Sequence, residues 1–321
     1  MAKRQDQRGP VLVIAGPTAS GKSALALAVA EEFAGVVING DSMQVYRDLR
    51  ILTARPTPEE EARAPHRLYG ELDAEESCSA GRWRDMALAE IEAAHAAARL
   101  PIVVGGTGFY LRALEHGLAE IPEIPAEVRT AARRRHADIG GARMHAELAA
   151  RDPQTAVRLA TGDSQRLIRA WEVLEATGRP LSDWQREAAA APAPYRFLRF
   201  VLEPPRQALY AACDRRLGRM VEQGALEEVA ALIGRGVDPA APVMKAVGVP
   251  QLAAHLKGEC DLESALAAAQ QATRRYAKRQ LTWLRTQFPR DDLSTFVIKA
   301  QFYERMKPNI FKIIREFLLT A

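Results

Sequence analysis

A phosphate-binding pattern lies near the start of the chain, where the letters GPTASGKS occupy Gly16 to Ser23. The pattern fits G-x-x-x-x-G-K-[ST], and it stands between an apolar run at residues 11–15 and a helix-favouring segment at residues 23–33. Backbone N–H groups of such a loop, together with the positive end of the following helix, suit a diphosphate. Lys22 adds a positive charge, and the Ser23 hydroxyl can ligate Mg2+. The predicted diphosphate-binding residues are Gly16, Pro17, Thr18, Ala19, Ser20, Gly21, Lys22 and Ser23.

A second glycine-rich turn, with the letters GGTG at residues 105–108, follows an apolar run at residues 102–104. Phosphate-loop enzymes that bind and hydrolyse ATP or GTP also need an acid that holds magnesium at the end of a core strand. This strand instead ends in glycines and Thr107, which offer N–H and hydroxyl donors to an anion. The turn therefore favours a diphosphate that leaves intact. A tight turn with Thr107 as a helix cap is the alternative interpretation.

Asp41 directly follows another apolar run, at residues 36–38, and an Asn-Gly pair. Ligands of open α/β sheets bind at the carboxyl ends of the strands, so a carboxylate at this place can accept a proton from a substrate. A role as a helix cap or turn residue explains Asp41 equally well from these residues alone.

Short apolar strands and longer helical segments alternate around these motifs. The predicted strands lie at residues 11–15, 36–38, 102–104 and 195–202, and the predicted helices lie at residues 23–33, 83–99, 206–224, 225–234 and 262–288. Such alternation is typical of an α/β fold built on a parallel sheet. Because the phosphate loop follows the first strand, we predict a P-loop NTPase-like core.

Strand patterns disappear between residues 118 and 193, where helical segments follow one another. These helices are predicted at residues 128–151, 153–160, 163–177 and 181–190, with Gly or Pro between them. We interpret the stretch as an inserted all-helical domain. The predicted domains are an α/β catalytic core of residues 10–117 and 194–290, the helical insertion of residues 118–193, and a C-terminal tail of residues 291–321 without an assigned role.

The composition excludes several classes of protein. With 321 residues, 48% hydrophobic and 26% charged, the chain is typical of a soluble globular protein and not of collagen, a coiled coil or a disordered chain. No apolar run reaches bilayer length and no signal peptide is evident, so we expect a cytoplasmic protein without membrane contact. The three cysteines are far apart in sequence, which argues against a disulfide framework or a zinc site.

Several motifs, in this order along the chain, together resemble the tRNA dimethylallyltransferases, the IPP transferase family. They read GPTASGKS, DSMQVY, TARP, PHRL, VGGTGFY and DSQRLIRAWE, and a basic segment RRYAKRQLTWLR extends the resemblance to cover residues 11–287. The resemblance implies transfer of a dimethylallyl group from dimethylallyl diphosphate to N6 of adenosine 37, next to the anticodon of a tRNA. The implied products are N6-isopentenyladenosine and diphosphate, the implied cofactor is Mg2+, and we expect a monomer.

The resemblance also implies roles for individual residues. Asp41 matches the general base of the family, and Thr107 and Arg216 match groups that stabilise the leaving diphosphate, together with Lys22. Ionisation of an allylic diphosphate spreads negative charge over its oxygens, so fixed donors stabilise that charge as it develops. The implied tRNA-binding residues are Asp41, Ser42, Met43, Gln44, Thr107, Arg129, Gln165, Arg166, Leu167, Ile168 and Arg169.

The distribution of charge agrees with an RNA substrate. Residues 127–186 hold eleven arginines and eight acids, and residues 264–290 hold six basic residues and no acid. A solvated helix face normally mixes both signs, so we expect the late basic helix to face RNA. The acceptor adenine must leave its stack to reach a buried diphosphate, and Gln44 could read its edge.

Two parts of the chain depart from the family pattern. Val249 and Pro250 stand where an aromatic and a basic residue are usual, which puts one RNA contact in doubt. Residues 309–319 lie beyond the resemblance and have apolar residues at helical spacing. We interpret them as a helix that packs on the protein, with a membrane-surface or partner-binding helix as the alternative.

Three other functions are compatible with parts of the sequence. Prenyl transfer onto free AMP or ATP needs the same loop and aspartate but not the arginine-rich insertion. A small-molecule kinase would use the same loop, but the strand before Thr107 ends without an acid. An RNA-binding module with an idle active site would leave Lys22, Asp41 and Thr107 unexplained.

Overall fold

A computed structural model of the chain describes residues 8–187, 192–288 and 292–320. The chain divides into two compact units. The first, called the core unit below, consists of the described residues up to Leu114 and from Pro194 onward. The second, called the helical unit, spans Glu115–Ala193.

The core unit is built on a sheet of parallel strands. In chain order, the strands are β1 (Arg8–Ala15), β2 (Gly35–Asn39), β3 (His66–Arg67), β4 (Leu100–Gly105), β5 (Tyr195–Leu202) and β6 (Thr295–Ile298). In space their order is β3-β2-β4-β1-β5-β6. At the centre, Leu12 of β1 pairs with Ile102 of β4 on one side and with Leu198 of β5 on the other. The predicted α/β fold with a parallel sheet is therefore confirmed.

Helices cover the sheet and make up the helical unit. They are α1 (Lys22–Glu32), α2 (Pro58–Arg63), α3 (Ala80–Ala96), α4 (Gly108–His116), α5 (Ala126–Arg151), α6 (Pro153–Ala156), α7 (Ser164–Thr177), α8 (Leu181–Glu187), α9 (Arg206–Glu222), α10 (Ala225–Gly234), α11 (Val249–Leu256), α12 (Leu262–Gln287) and α13 (Lys307–Leu319). Among the described residues, every helix is too short or too polar to cross a membrane.

In the core unit, the apolar strands are packed between helices. All residues of β2 and β4 are buried, as expected for strands covered on both faces. In α1 the residues from Leu25 to Ala30 are all buried against this sheet. Trp83 of α3 is completely buried, and its Nε1–H donates a hydrogen bond of 2.8 Å to the backbone oxygen of Asn39 at the end of β2.

The helical unit has a small hydrophobic core of its own. Met144, Leu148 and Leu167 are completely buried there, with Trp171 beside them. Asp152 joins three of its helices, because its Oδ1 accepts the Thr155 N–H at the start of α6 and the Ser182 hydroxyl in α8. The described part of this unit is entirely helical between residues 126 and 187 apart from the connecting turns.

Most predicted elements are confirmed, and the differences are local. The predictions missed the short β3 and α2, the helices α4 and α11, and the edge strand β6. The predicted continuation of α8 to Ala190 lies outside the described residues. In each missed element the run is too short or too mixed in polarity for a period to be recognised.

The last thirty residues contribute to the core unit. Strand β6 lengthens the sheet, with Arg199 of β5 opposite Thr295. Helix α13 packs on the hydrophobic core through Ile310 and Ile314, and the Phe311 ring lies edge-on to Phe33 at 5.5 Å. Packing of this helix on the protein is the interpretation that the apolar spacing favoured.

Candidate active site

The phosphate loop forms the turn between β1 and α1. The Ser20 N–H donates to the Pro17 carbonyl at 3.3 Å, and Gly21 has a φ of +89°, which an L side chain rarely adopts. A Cβ at Gly16 would lie 2.7 Å from the Ser20 hydroxyl oxygen. That Ser20 hydroxyl is buried and has no hydrogen-bond partner among the described residues. The loop therefore has the compact form that an anion-binding turn requires.

Lys22, the first residue of α1, lies among other charged groups of the site. Its ammonium donates to the Pro17 carbonyl at 3.4 Å. Burial lowers the pKa of Lys22 to about 8, a shift that Asp41 opposes and Arg216 reinforces. Lys22 is consequently close to the point at which it loses its charge, and an anion bound beside it would raise its pKa again.

Arg216 of α9 contacts the phosphate loop, although the two are far apart in sequence. Its Nη2 donates a hydrogen bond to the Thr18 hydroxyl. Burial lowers the pKa of Arg216, and Asp41 acts in the opposite direction. Arginine keeps its proton in either case, so the site has a second fixed positive charge. The structure thus brings Thr18, Lys22, Asp41 and Arg216 together.

Asp41 is held by a buried asparagine that the sequence analysis did not single out. Asn39, at the end of β2, accepts the Asp41 N–H through Oδ1 at 2.8 Å and donates from Nδ2 to the Asp41 carbonyl at 3.0 Å. The Asp41 carboxylate accepts the Met43 N–H at 2.9 Å. Asp41 therefore does form a turn, and the same turn orients its carboxylate. A polar residue at the end of an apolar strand was the available indication for Asn39.

Thr107 connects the glycine-rich turn after β4 to the turn that contains Asp41. Its hydroxyl accepts the Ser42 N–H at 3.1 Å and donates to the Ser42 hydroxyl at 3.4 Å. Its carbonyl accepts the Tyr110 N–H at the start of α4. The Thr107 backbone thus starts a helix, while its side chain is bonded to the turn that contains Asp41; its role towards an anion stays a prediction.

A cavity of about 200 Å³ lies beside these groups in the core unit. Thr18, Asp41, Ser42, Met43 and Arg216, all predicted site residues, contribute to its wall. Residues outside the prediction complete the wall, notably Leu52, Cys213, Leu217, Met220, Thr273 and Tyr276. The apolar members suit a hydrocarbon group beside a charged one. Cys213, Leu217 and Met220 recur at helical spacing in α9, a pattern that by itself indicates only a buried helix face.

Tyr276 and Cys213 bring titratable groups to this wall. Burial raises the pKa of Tyr276, and the nearby Asp41 raises it further, while Thr107 is its hydrogen-bonding neighbour. Burial also raises the pKa of the Cys213 thiol. Both groups are therefore neutral at physiological pH, and they add uncharged polar atoms to the cavity wall.

Residues 50–54 contribute Leu52 and Thr53 to the cavity wall, and helix α10 holds this segment in place. The Glu228 carboxylate accepts the N–H groups of Arg50, Ile51 and Leu52, the last two at 2.9 Å. The Gln44 amide nitrogen donates to the carbonyls of Thr53 and Ala54, at 2.8 and 2.9 Å. Gln44 thus uses both of its donors within the protein. The predicted reading of a base edge by Gln44 would therefore fall to its Oε1, because the amide nitrogen supports this wall.

Except for Arg129, the candidate residues of the helical unit lie on α7. Gln165, Arg166 and Arg169 are exposed, and the two arginines form ion pairs with Asp163 at 3.3 Å and Glu172 at 3.4 Å.

Not all of the predicted RNA contacts in this unit are equally available. Leu167 is completely buried in the core of the helical unit, so its side chain supports the helix and is not available to RNA. Ile168 is half-buried against the same core. Arg129, in α5, approaches Glu123 at 4.0 Å.

The departure at Val249 and Pro250 has a structural explanation. These residues form the first turn of α11, in which Val249 is completely buried and a proline is well tolerated. Neighbouring Lys245 and Val247 line the cavity. The segment therefore shapes the cavity wall, and the Val249 side chain takes no part in surface contacts.

The oxygen donors of the site fit magnesium better than a transition metal. In the part of the chain that the structure describes, no three His, Cys, Asp or Glu side chains are grouped to hold a metal. Mg2+ usually binds one or two protein oxygens and completes its shell with water and substrate phosphates. Ser23, exposed on the first turn of α1, supplies an oxygen of that kind.

Comparisons with other sequences agree on one family. The family model described as IPP transferase matches residues 44–287. A tRNA dimethylallyltransferase of Rhodospirillum centenum is 62% identical over 279 residues, which are 87% of this chain and 89% of the relative. Another, of Rhodospirillum rubrum, is 56% identical over 313 residues, which are 97% of this chain and 96% of the relative.

Solved structures agree with the sequences. The full-length tRNA isopentenylpyrophosphate transferase of Bacillus halodurans is similar with a TM-score of 0.69 at 31% identity, over 97% of each chain. A eukaryotic dimethylallyltransferase, studied acting on tRNA, has a TM-score of 0.84 at 26% identity, over 98% of this chain and 80% of its own. Since the family match covers most of the chain and the relatives align over nearly all of it, the chain belongs to the IPP transferase family.

Proposed function

We propose that this protein transfers the dimethylallyl group of dimethylallyl diphosphate to N6 of adenosine 37 in tRNA. The observation that carries the proposal is that Thr18 of the phosphate loop, Arg216 and Asp41 line one cavity, with the Lys22 charge close to both Asp41 and Arg216. Relatives at 62% and 56% identity are named tRNA dimethylallyltransferases, and one solved neighbour is described as acting on tRNA. The products are N6-isopentenyladenosine and diphosphate.

The diphosphate would bind at the phosphate loop and leave with the electron pair of the broken C–O bond. As that bond lengthens, negative charge grows on the diphosphate oxygens. Lys22 and Arg216, with the Thr18 hydroxyl, are donors at the loop and stabilise that charge. Thr107 would add its hydroxyl by giving up the 3.4 Å bond that it donates to the Ser42 hydroxyl. The buried Ser20 hydroxyl, which has no partner among the described residues, is a further donor for an anion.

The acceptor adenine would enter the cavity with its N6 amine towards Asp41. N6 forms the new bond to the allylic carbon and loses a proton, which the Asp41 carboxylate accepts. The Met43 N–H donates to that carboxylate, and Asn39 holds the Asp41 backbone, so no reorientation is needed during the reaction. A positioned base of this kind contributes roughly 10²- to 10⁴-fold in rate.

Magnesium fits the site as the metal that accompanies the diphosphate. Ser23 would hold it together with diphosphate oxygens. When bound, it supplies positive charge that neutralises the diphosphate. The proton of N6 goes to Asp41, a residue of this chain, and not to the metal.

Exposed basic and polar groups support binding of the tRNA itself. In α12, Arg275, Lys278 and Arg279 are exposed, and Arg279 also lies in the cavity wall. In the helical unit, Gln165, Arg166 and Arg169 are the exposed candidates on α7. We propose that the reaction takes place in the cytoplasm and that the protein acts there as a monomer.

A transfer assay tests this function. Labelled dimethylallyl diphosphate and Mg2+ are offered with unmodified tRNA, AMP or ATP as separate acceptors, followed by nucleoside analysis. Label at the adenosine next to the anticodon is the expected result. Label in AMP or ATP alone would move the function to free nucleotides, and the absence of transfer to any acceptor would refute a prenyl transferase.

A further inference from the structure

Helix α12 has a buried face as well as its exposed basic face. Gln280, in the middle of the helix, is only 5% exposed although its side chain is polar. A buried amide requires hydrogen-bond partners for its donors and its acceptor. The partners of Gln280 lie far away in sequence and belong to both anion-binding turns.

Gln280 forms one hydrogen bond to each turn. Its Oε1 accepts the N–H of Thr18 in the phosphate loop at 2.8 Å. Its Nε2 donates to the carbonyl of Gly106, in the turn after β4, at 3.0 Å. One amide thus joins the two turns that supply the proposed diphosphate donors.

The turn after β4 is closely fitted to this face of α12. A Cβ at Gly106 would lie 2.1 Å from Gln280 Nε2, and a Cβ at Gly108 would lie 1.9 Å from Trp283. Tyr276, one helical turn before Gln280, is the hydrogen-bonding neighbour of Thr107. Three successive residues of the turn therefore contact positions 276, 280 and 283, which share one face of a helix.

We propose that Gln280 is a positioning residue for the prenyl donor: it sets the separation of the phosphate loop and the turn at residues 105–108. The inference rests on the proposed function, because it assigns the diphosphate to these two turns. Donors for a diphosphate are effective only when both turns hold them at a fixed geometry. An amide can do this because it accepts at one end and donates at the other.

Isothermal titration of dimethylallyl diphosphate with Mg2+ tests the proposal on the full-length protein. Gln280→Ala leaves the Thr18 N–H and the Gly106 carbonyl without this partner, and we expect the dissociation constant to rise about 10- to 100-fold. The matched control is Gln270→Ala in the same helix, since the one bond that Gln270 donates within the described residues is a 3.4 Å bond to the Asp214 carbonyl. This control should bind the donor within about twofold of wild type.

Gln280→Glu adds a second measurement, the pH dependence of donor binding, which would not change if Gln280 had a purely structural role. The charged glutamate still accepts from Thr18 but repels the Gly106 carbonyl, whereas the protonated glutamate has the donor and acceptor of glutamine. Burial raises the pKa of such a carboxyl. Binding relative to wild type should therefore be weak near about pH 8 and recover towards about pH 5.5, and Gln280→Ala should show no recovery.

Three outcomes decide the inference. Unaltered donor binding in both Gln280 variants, or the same loss in Gln270→Ala, would overturn it. A Gln280→Glu deficit that does not depend on pH would also contradict it. If wild type itself does not bind dimethylallyl diphosphate, the proposed function fails instead. Should Gln280→Ala not fold, as judged by its thermal transition, the pH series on Gln280→Glu decides alone.

Discussion

Asp41 is surrounded by groups that restrict what its carboxylate can do. It shares the site with two cations, Lys22 and Arg216, and it accepts a hydrogen bond from the Met43 N–H. Asn39 fixes its backbone on both sides. A carboxylate in this setting is held in one orientation, which is the property required of a base that meets one particular amine.

Asp41→Asn separates the base function from the turn. The asparagine retains an oxygen for the Met43 N–H but cannot accept a proton, so kcat should fall about 10²- to 10⁴-fold. The dissociation constants of dimethylallyl diphosphate and tRNA should change by no more than a few fold. Single-turnover transfer and equilibrium binding measure the two quantities, and a variant with full kcat would remove Asp41 as the base.

The lowered pKa of Lys22 predicts how donor binding depends on pH. Below its pKa of about 8, Lys22 is mostly charged and attracts the diphosphate; above it, binding must take up a proton. The affinity should therefore fall between about pH 7.5 and about pH 9.5, by up to about tenfold per pH unit. Titration calorimetry over this range should show the decline for wild type.

Lys22→Gln is the control for that prediction. It should bind the diphosphate weakly at every pH in the range and show a much flatter profile, because the titrating group is gone. Phosphate second ionisations lie near about pH 6, so the donor does not change its own charge above about pH 7.5. An equally steep decline in the variant would assign the titration to another group.

At the scale of elements, helix α10 acts on the cavity through one carboxylate. Glu228 accepts three successive N–H groups of residues 50–52, of which Leu52 lines the cavity. Leu52 is confined from its other side, because a Cβ at Gly248 would approach it to 2.8 Å. The cavity wall is thus clamped between α10 and the start of α11.

Glu228→Ala should loosen this wall. Unpaired backbone N–H groups cost about 1–3 kcal/mol where water does not replace the lost acceptor, so we expect unfolding to require about 2–3 kcal/mol less. The KM for the prenyl donor should rise as well. Glu227→Ala is the matched control, since Glu227 is exposed in the same first turn of α10 and should alter stability by less than about 0.5 kcal/mol.

A second element, the segment before α13, supports the phosphate loop from outside. The Gln301 amide donates to the Ala19 carbonyl at 3.1 Å, and the Phe302 N–H donates to the Ser20 carbonyl at 3.2 Å. Ala19 has a φ of +62°, which is unfavourable for a residue with a Cβ. These bonds help to hold the loop in that conformation.

For the whole molecule, the last helix is part of the structural core. Ile314→Ala removes a side chain that is 1% exposed, so the free energy of unfolding should fall by about 2–4 kcal/mol. Denaturant unfolding measures the change, with Lys312→Ala, an exposed position in the same helix, as the control. A loss below about 0.5 kcal/mol would mean that α13 is not packed as described.

The whole molecule also determines which of the charged groups behind the net charge of +4 are paired within the protein. Two of the basic residues in α12 are used within the protein, because Arg274 pairs with Asp214 at 2.6 Å and Arg285 with Glu203 at 3.4 Å. Arg275, Lys278 and Arg279 keep their exposure. The sequence count therefore overstates the charge that α12 can offer to RNA, since it ignores acids that come from other elements.

The sequence by itself determined those features of the protein that depend on residues close together in the chain. The phosphate loop, the position of Asp41 at the end of a strand and most helices and strands were predictable, because steric rules and hydrophobic periods act over a few residues. The motifs also identified the family, since six of them occur in order.

Only the tertiary structure decided the partners of side chains that meet across long stretches of chain. Gln280 lies 262 positions from Thr18, and the sequence did not indicate that the Gln44 amide nitrogen bonds the carbonyls of Thr53 and Ala54. Leu167 became a core residue for the same reason. A polar or apolar side chain has several acceptable partners, and the packing of distant elements determines which of them it meets.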